Sequence, residues 1–326
     1  MSFATMQTVL VTGASGFVGQ KLLGALGRDF GEIHAFRLEE NSGISAPSGV
    51  QWHRVDITDR DAVTAAIKKI RPTVVFHLAA QSHVPTSFKI PGVTWRVNLD
   101  GTRHMLDAVA QTVEGAIFIN VASADIYGHS FTANREVSES TPLLPLNPYA
   151  ASKAAADLAA YQYSATSSLR IVRARPFNHS GAGQLEKFVL PAFAYQIARI
   201  EAGLSPPVID VGDLSAERDF LHVSDVIDAY LLMVEKVDQI PGGSAFNIAS
   251  GSSCTIESLL DLLLSKSRLS IEVRRDPERL RPSDIKRVCG SSQALQNITG
   301  WRPRVSKAAM LEDVLNFCRR NVFENQ

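Results

Sequence analysis

The 326-residue sequence has little cysteine, no excess of charge of either sign and no long apolar run. Each shortage removes a class of protein. Cys254, Cys289 and Cys318 are odd in number, widely spaced and without a CxxC pair, so neither a disulfide framework nor a bound metal is expected. That usage fits a reducing cytoplasm. Lysine plus arginine number 33, as do aspartate plus glutamate, which removes the broad attraction behind nucleic-acid and anionic-membrane binding. No stretch approaches the roughly 20 apolar residues that cross a bilayer. The N-terminal MSFATMQTVLVTG has no basic residue ahead of its apolar stretch. The expectation is a soluble, unprocessed, cytoplasmic protein with neither nucleic acid nor membrane as partner.

What the sequence does have is a globular apolar content of 45% and an alternation of short β-branched runs with longer helical patterns. TVLVT (8–12), EIHAFR (32–37), QWHRVD (51–56), TVVFHLAA (73–80), AIFINVAS (116–123) and LRIVRARP (169–176) read as strands, with helical segments between most of them. About six strands joined by crossover helices imply an α/β fold built on a doubly wound parallel sheet. After Pro176 glycine and proline interrupt more often, and short strands (PVIDV, AFNIAS, SIEVRR) mix with helices. Residues 1–176 are therefore expected to form one domain, and 177–326 a smaller mixed α/β region interleaved with it.

Strand 8–12 runs straight into TGASGFVG and then a helix. Gly13, Gly16 and Gly19 suit a turn of positive φ and a close approach of backbone to a pyrophosphate, and the helix N-terminus points amides at that anion. This placement predicts a dinucleotide site formed by Gly13, Ser15, Gly16, Phe17, Val18 and Gly19. Arg37 arrives at the end of the second strand before any acid, which favours the 2′-phosphate of NADP(H) over NAD(H) without excluding the latter. Asp56 and Ile57 follow the third strand near the adenine; Leu78, Ala79 and Ala80 close the fourth, and Pro176 the sixth.

Tyr149 and Lys153 in NPYAASK stand four apart and share a helix face. Asn147 can cap that helix and Pro148 suits its first position, placing Tyr149 where the dipole favours phenolate. A nearby ammonium is expected to lower the phenol pKa from about 10 and make proton exchange with a substrate oxygen feasible. Ser123, in VASADIYG, ends its strand at the edge where open α/β sheets bind ligands.

TGASGFVG, HLAAQSHV, VASADIYG, YAASK and RPFNHSGAGQ, in this order, resemble an extended short-chain dehydrogenase/reductase of the NAD-dependent epimerase/dehydratase family. The likeness covers nearly the whole chain. Within that family, RPFNHSGAGQ, SAERDFLHVSDV and RLRPSD resemble the reductases of GDP-4-keto-6-deoxymannose, with GDP-mannose 4,6-dehydratases as near relatives. The resemblance implies a Rossmann-type domain with a nucleotide-sugar-binding C-terminal region. It also implies a catalytic Ser123, Tyr149 and Lys153, with Lys153 holding the nicotinamide ribose.

A dehydratase needs a base at C5 and, in some members, an acid beyond the tyrosine, and the resemblance implies that these occupy the two positions after the serine. Here these are Ala124 and Asp125. Alanine has no proton to give, and aspartate is one methylene shorter than the family's glutamate, where a shift of about 1 Å can cost ~100-fold in rate. NADP(H)-dependent reduction to GDP-D-rhamnose is favoured; a dehydratase or epimerase, with Asp125 as base, stays open, as does a cofactor-binding regulatory protein. On the substrate side the resemblance implies contacts from Asn178, Val189, Arg218, Arg281 and Asp284 with a GDP-linked 6-deoxyhexose. Ser82 and His83 are placed to face the sugar, and His222 is expected to serve packing. Ala182 replaces the family's proline, which puts the rigidity of its loop in question. The small-residue helices around Asn98–Ala110 and Tyr149–Tyr163 imply a homodimer through a four-helix bundle.

Overall fold

The structure, a computed structural model, describes residues 7–27, 30–38, 48–133, 136–277 and 285–324. Six strands of the first half are β1 (Thr8–Thr12), β2 (Glu32–Arg37), β3 (Val50–Arg54), β4 (Val74–His77), β5 (Ile117–Val121) and β6 (Arg170–Pro176). Between them run α1 (Phe17–Leu26), α2 (Arg60–Ile70), the short α3 (Val84–Lys89) and α4 (Pro91–Trp95), α5 (Gly101–Thr112), the single turn α6 (Ser130–Ala133) and α7 (Pro148–Thr166). Beyond Pro176 come β7 (Asn178–Ser180), α8 (Val189–Glu201), β8 (Val208–Val211), β9 (Glu217–His222), α9 (Val223–Glu235), β10 (Ala245–Ile248), β11 (Ser253–Thr255), α10 (Ile256–Leu264), β12 (Glu272–Arg275), α11 (Gln293–Thr299) and α12 (Lys307–Glu324).

The main sheet is parallel in the order β10-β6-β5-β4-β1-β2-β3. Its central strands β1, β4 and β5 are apolar because both faces are covered, whereas the edge strand β3 is only partly buried. Leu22, Leu23 and Leu26 of α1, with Val226, Tyr230 and Met233 of α9, bury one face; Val63 and Ile67 of α2, Met105 and Leu106 of α5 and Ala160 of α7 bury the other. Strand order reverses between β1 and β4, which opens a crevice beyond their C-terminal ends. AFNIAS, in the C-terminal region expected to interleave with the first domain, supplies β10, the seventh strand of the main sheet beside β6. Its pairing partner lies on the other side of Pro176, and nothing local in the sequence marks that.

Apart from α9 and α11, which pack on the main sheet, the remaining C-terminal elements form a second layer. A three-stranded sheet, β11-β9-β7, and the parallel pair β8-β12 stand beside a separate core of α8, α10 and α12. The segment before α5 departs from the expected regular helix: Arg96–Asp100 is a π-helical turn, a local widening often found at functional sites.

Candidate active site

At the crevice, Gly13 has φ +64°, and a Cβ there would lie 2.7 Å from the backbone nitrogen of Ala79. A Cβ on Gly19 would lie 2.7 Å from the Cα of Ala14, so α1 packs directly on the loop. Gly16 caps α1 without a side-chain hydrogen bond, which leaves its first-turn amides facing outward as an anion cradle. Thr12 Oγ1 accepts from Ala79 N at 3.2 Å and joins the ends of β1 and β4. Gln20 Nε2 holds the Ser15 carbonyl at 2.9 Å, and Phe17 stacks on His179. Leu78, Ala79 and Ala80 follow β4 half-buried, Ile57 and Pro176 are buried, and Asp56 is exposed with Oδ1 accepting from Thr58.

The Arg37 guanidinium lies 5.5 Å from the centre of the Trp52 ring. Arg37 Nε and Trp52 Nε1 are both buried with no hydrogen-bond partner. Buried donors are seldom left unpaired without a reason, and an added phosphate at the end of β2 would satisfy them. The residues present therefore fit a nicotinamide dinucleotide.

Asn147 Oδ1 accepts from Ala150 N at 2.8 Å and starts α7 as expected. Tyr149 is 8% exposed and Lys153 3%. Ser123 follows β5 and caps the 3-10 turn Ala124–Tyr127, its Oγ accepting from Asp125 N at 3.2 Å. Burial, then the nearby Asp125 carboxylate, push the Tyr149 phenol above its ordinary pKa, while the Ser123 hydroxyl acts on it in the opposite sense. This corrects the expectation that Lys153 lowers it. Lys153 Nζ instead donates to the carbonyl of Val121. Burial takes the ammonium down to about 8, opposed by the Asp157 carboxylate one turn along α7.

Two buried groups frame that lysine. His77, pushed down to about 3 by burial and by Lys153, is a neutral imidazole held between Thr12 Oγ1 at 2.8 Å and Thr102 Oγ1 at 3.0 Å. Asp157 pairs with Arg173 at 2.6 Å and Arg175 at 2.7 Å. Arg175 in turn donates to the Tyr127 hydroxyl at 2.9 Å, and Tyr127 donates to Asn247 Oδ1 at 2.7 Å. The end of VASADIYG is thus anchored to β6 and β10.

From the C-terminal layer, Arg218 of β9 approaches the same wall. Burial raises the Asp125 carboxyl and Arg218 pulls it back down, while Arg218 Nη1 also donates to the carbonyl of Glu217 at 2.8 Å. Asn178 opens β7 and is exposed, and Val189 is the first residue of α8. Ser82 is exposed. His83 bonds Thr86 Oγ1 at 2.8 Å and meets Phe188 edge-on across the cleft. His222, expected to serve packing, instead caps α9 by accepting from Ser224 N, and its Nε2 lies 3.1 Å from Asp313. Arg281 and Asp284 lie outside the described residues.

Several residues here had no signal in the sequence. Fully buried Asn98, in the π-helical turn, exchanges hydrogen bonds with the Gln81 backbone and donates to Ser152 Oγ at 2.9 Å, tying the segment after β4 to α7. Its helical spacing matched its neighbours and concealed this. Asp219, also fully buried, accepts from the amides of Ser250 at 2.9 Å, Gly251 at 3.1 Å and Gly290 at 3.4 Å.

A Rossmann-type sheet with this serine, tyrosine and lysine at its C-terminal edge defines an extended short-chain dehydrogenase/reductase. The chain belongs to the GDP-mannose 4,6 dehydratase family, whose model matches residues 10–314. It is 34% identical to a GDP-6-deoxy-D-mannose reductase of Pseudomonas aeruginosa, covering 95% of this chain and 96% of that one. It is 31% identical to GDP-mannose 4,6 dehydratase 2 of Arabidopsis thaliana over 78% of this chain and 68% of the other. A solved structure of RMD from Pseudomonas aeruginosa complexed with NADPH superposes with a TM-score of 0.84 at 33% identity, covering 97% of this chain and all of that one.

Proposed function

We propose that the chain reduces the C4 ketone of GDP-4-keto-6-deoxy-D-mannose with NADPH and releases GDP-D-rhamnose. The observation that carries this reading is a buried, proton-holding Tyr149 beside Ser123, with Ala124 where an eliminating enzyme would use an acid. A phenol above its ordinary pKa keeps its proton at neutral pH, and an alkoxide forming on C4 is basic enough to take it. Ser123 orients the same oxygen through its hydroxyl. Lys153 holds the nicotinamide ribose, and once its charge faces Tyr149 it eases the proton's departure.

Gly13, Ser15, Gly16, Phe17, Val18 and Gly19 hold the pyrophosphate, Arg37 the 2′-phosphate, and Asp56, Ile57, Leu78, Ala79, Ala80 and Pro176 the rest of the dinucleotide. A reduced nicotinamide bound there supplies the hydride. The unpartnered Arg37 Nε favours NADPH, with NADH as the poorer donor. Residues 177–326 grip the nucleotide sugar through Asn178, Val189, Arg218, Arg281 and Asp284, while Ser82 and His83 face it from the first domain.

Exposed Leu158 and Tyr161 on α7, with Val93 and Trp95 on α4 packed beside it, support the homodimer expected through the helices around Asn98–Ala110 and Tyr149–Tyr163. Among the described residues no helix is long and apolar enough to cross a membrane, and the three free cysteines suit a cytoplasmic setting. Asp125 favours a second reading, a GDP-mannose 4,6-dehydratase or related epimerase, because its raised pKa would suit a base at C5. The test offers GDP-mannose alone and, separately, GDP-4-keto-6-deoxymannose with NADPH. NADPH consumption only in the second supports the reductase; a keto sugar formed from GDP-mannose without added reductant supports the dehydratase.

A further inference from the structure

The loop between β7 and α8 follows Ser180 and ends on Phe188, joining the strand that Asn178 opens to the helix that Val189 begins. The Ala182 amide donates to Asp313 Oδ2 at 2.7 Å, reaching across to α12. The same carboxylate oxygen lies 3.1 Å from His222 Nε2. His222 Nδ1 faces the Ser224 backbone amide at 3.2 Å and the Ser224 hydroxyl at 2.7 Å. A backbone amide can only donate, so Nδ1 accepts and the imidazole proton sits on Nε2, aimed at Asp313. One carboxylate thereby collects the loop, the N-terminus of α9 and the body of α12.

The ends of this connection are rigid. Met310, Leu311, Val314 and Leu315 of α12 are buried against α8 in the second core, which fixes Asp313 from below. The loop backbone also sits against its support: a Cβ on Gly181 would lie 2.7 Å from Val223 Cγ1 and 3.2 Å from His222 Nε2. Within the loop, Ser180 Oγ donates to Gln184 Oε1 at 2.7 Å and Gln184 Nε2 to the His179 carbonyl at 3.2 Å. These bonds brace the loop internally, and the Ala182 amide adds an anchor on α12.

We infer that Asp313, oriented by His222, is a positioning residue that anchors the β7–α8 loop through the Ala182 amide and so places Asn178 and Val189 to receive the nucleotide sugar. It touches no reacting atom. The inference rests on the proposed function for its substrate and on hydrogen bonds alone for the anchor, so two measurements separate them.

The first is hydrogen exchange of residues 178–188 in the full chain, wild type against Asp313→Ala and Asp313→Asn. Asp313→Ala is expected to speed exchange of this segment while β1, β4 and β5 stay protected. Asp313→Asn, whose side-chain oxygen can still accept from Ala182, is expected to retain most of the protection. Unchanged exchange in Asp313→Ala overturns the inference whatever the substrate proves to be. The second is GDP-mannose binding by calorimetry, with NADPH binding alongside. Asp313→Ala is expected to weaken GDP-mannose about ten-fold, the loss of one charge-assisted hydrogen bond, and to leave NADPH within two-fold. Equal loss of both ligands, or loss of neither, contradicts a positioning role. Wild-type protein that binds NADPH but no GDP-mannose refutes the GDP-sugar reading instead, and the exchange result then decides the anchor by itself.

Discussion

In the cofactor half, the groups that face the crevice are mostly main chain: the Gly13 turn against Ala79, the uncapped first turn of α1 and the backbone of residues 78–80. In the C-terminal layer the same task falls to single carboxylates: Asp219 gathers the amides of Ser250, Gly251 and Gly290, and Asp313 holds the Ala182 amide and the His222 imidazole. A site built from backbone survives most side-chain changes, provided its glycines remain. A site hung on one carboxylate fails when that carboxylate is removed. Tyr149, Ser123 and Asp125 sit on the first half, and the Asp125 carboxyl feels Arg218 of the second, so chemistry falls where the two styles meet.

The largest expected effect lies at that boundary. Tyr149→Phe should lower kcat about 10²–10⁴-fold, with NADPH and GDP-mannose affinities measured by calorimetry unchanged, because neither half loses its own framework. Arg37→Ala should break the cofactor half selectively. NADPH affinity, followed by nicotinamide fluorescence, is expected to fall about ten- to hundred-fold as a charge-assisted contact is lost, while NADH affinity barely moves.

Asp219→Ala addresses the other half. Four hydrogen bonds to a buried carboxylate disappear and the amides of Ser250, Gly251 and Gly290 lose their acceptor. A loss of roughly 2–3 kcal/mol is expected, read as a lower Tm together with weakened GDP-mannose binding, with NADPH binding retained.

The smallest effect sharpens the boundary itself. The Lys153 ammonium titrates at about 8, depressed by burial. It is present below that pH and is lost as pH rises through it, so kcat/KM should decline on the alkaline side with a midpoint near 8. Asp157 opposes the depression, so Asp157→Asn should move that midpoint to lower pH. A midpoint that stays in place would show that Lys153 does not govern the limb.

How much of this was legible follows from the same contrast. The strands from Thr8 to Pro176, the glycine turn and the four-residue spacing of Tyr149 and Lys153 are local patterns, and local patterns survive in sequence. The pairing of Lys153 Nζ with the Val121 carbonyl does not, because that carbonyl is supplied by another strand end. The rise of the Tyr149 pKa was missed for a related reason: burial depends on the whole fold, whereas spacing suggested only the lysine's charge. AFNIAS read as a strand, but its place beside β6 depended on a long crossover between residues 176 and 245 that no local signal encodes. Asp313 and Ala182 stand 131 positions apart, and the doubt raised by an alanine at position 182 is answered only by seeing where its amide points.

The central claim is that this site reduces a C4 ketone and does not eliminate water. The most direct measurement supplies GDP-4-keto-6-deoxymannose and NADPH deuterated at the transferable position of the nicotinamide, then locates the label in the sugar by NMR. One deuterium at C4 of a 6-deoxyhexose, formed in step with NADPH consumed, is the predicted result. No label at C4 with NADPH unspent, alongside turnover of GDP-mannose to a keto sugar, would contradict it.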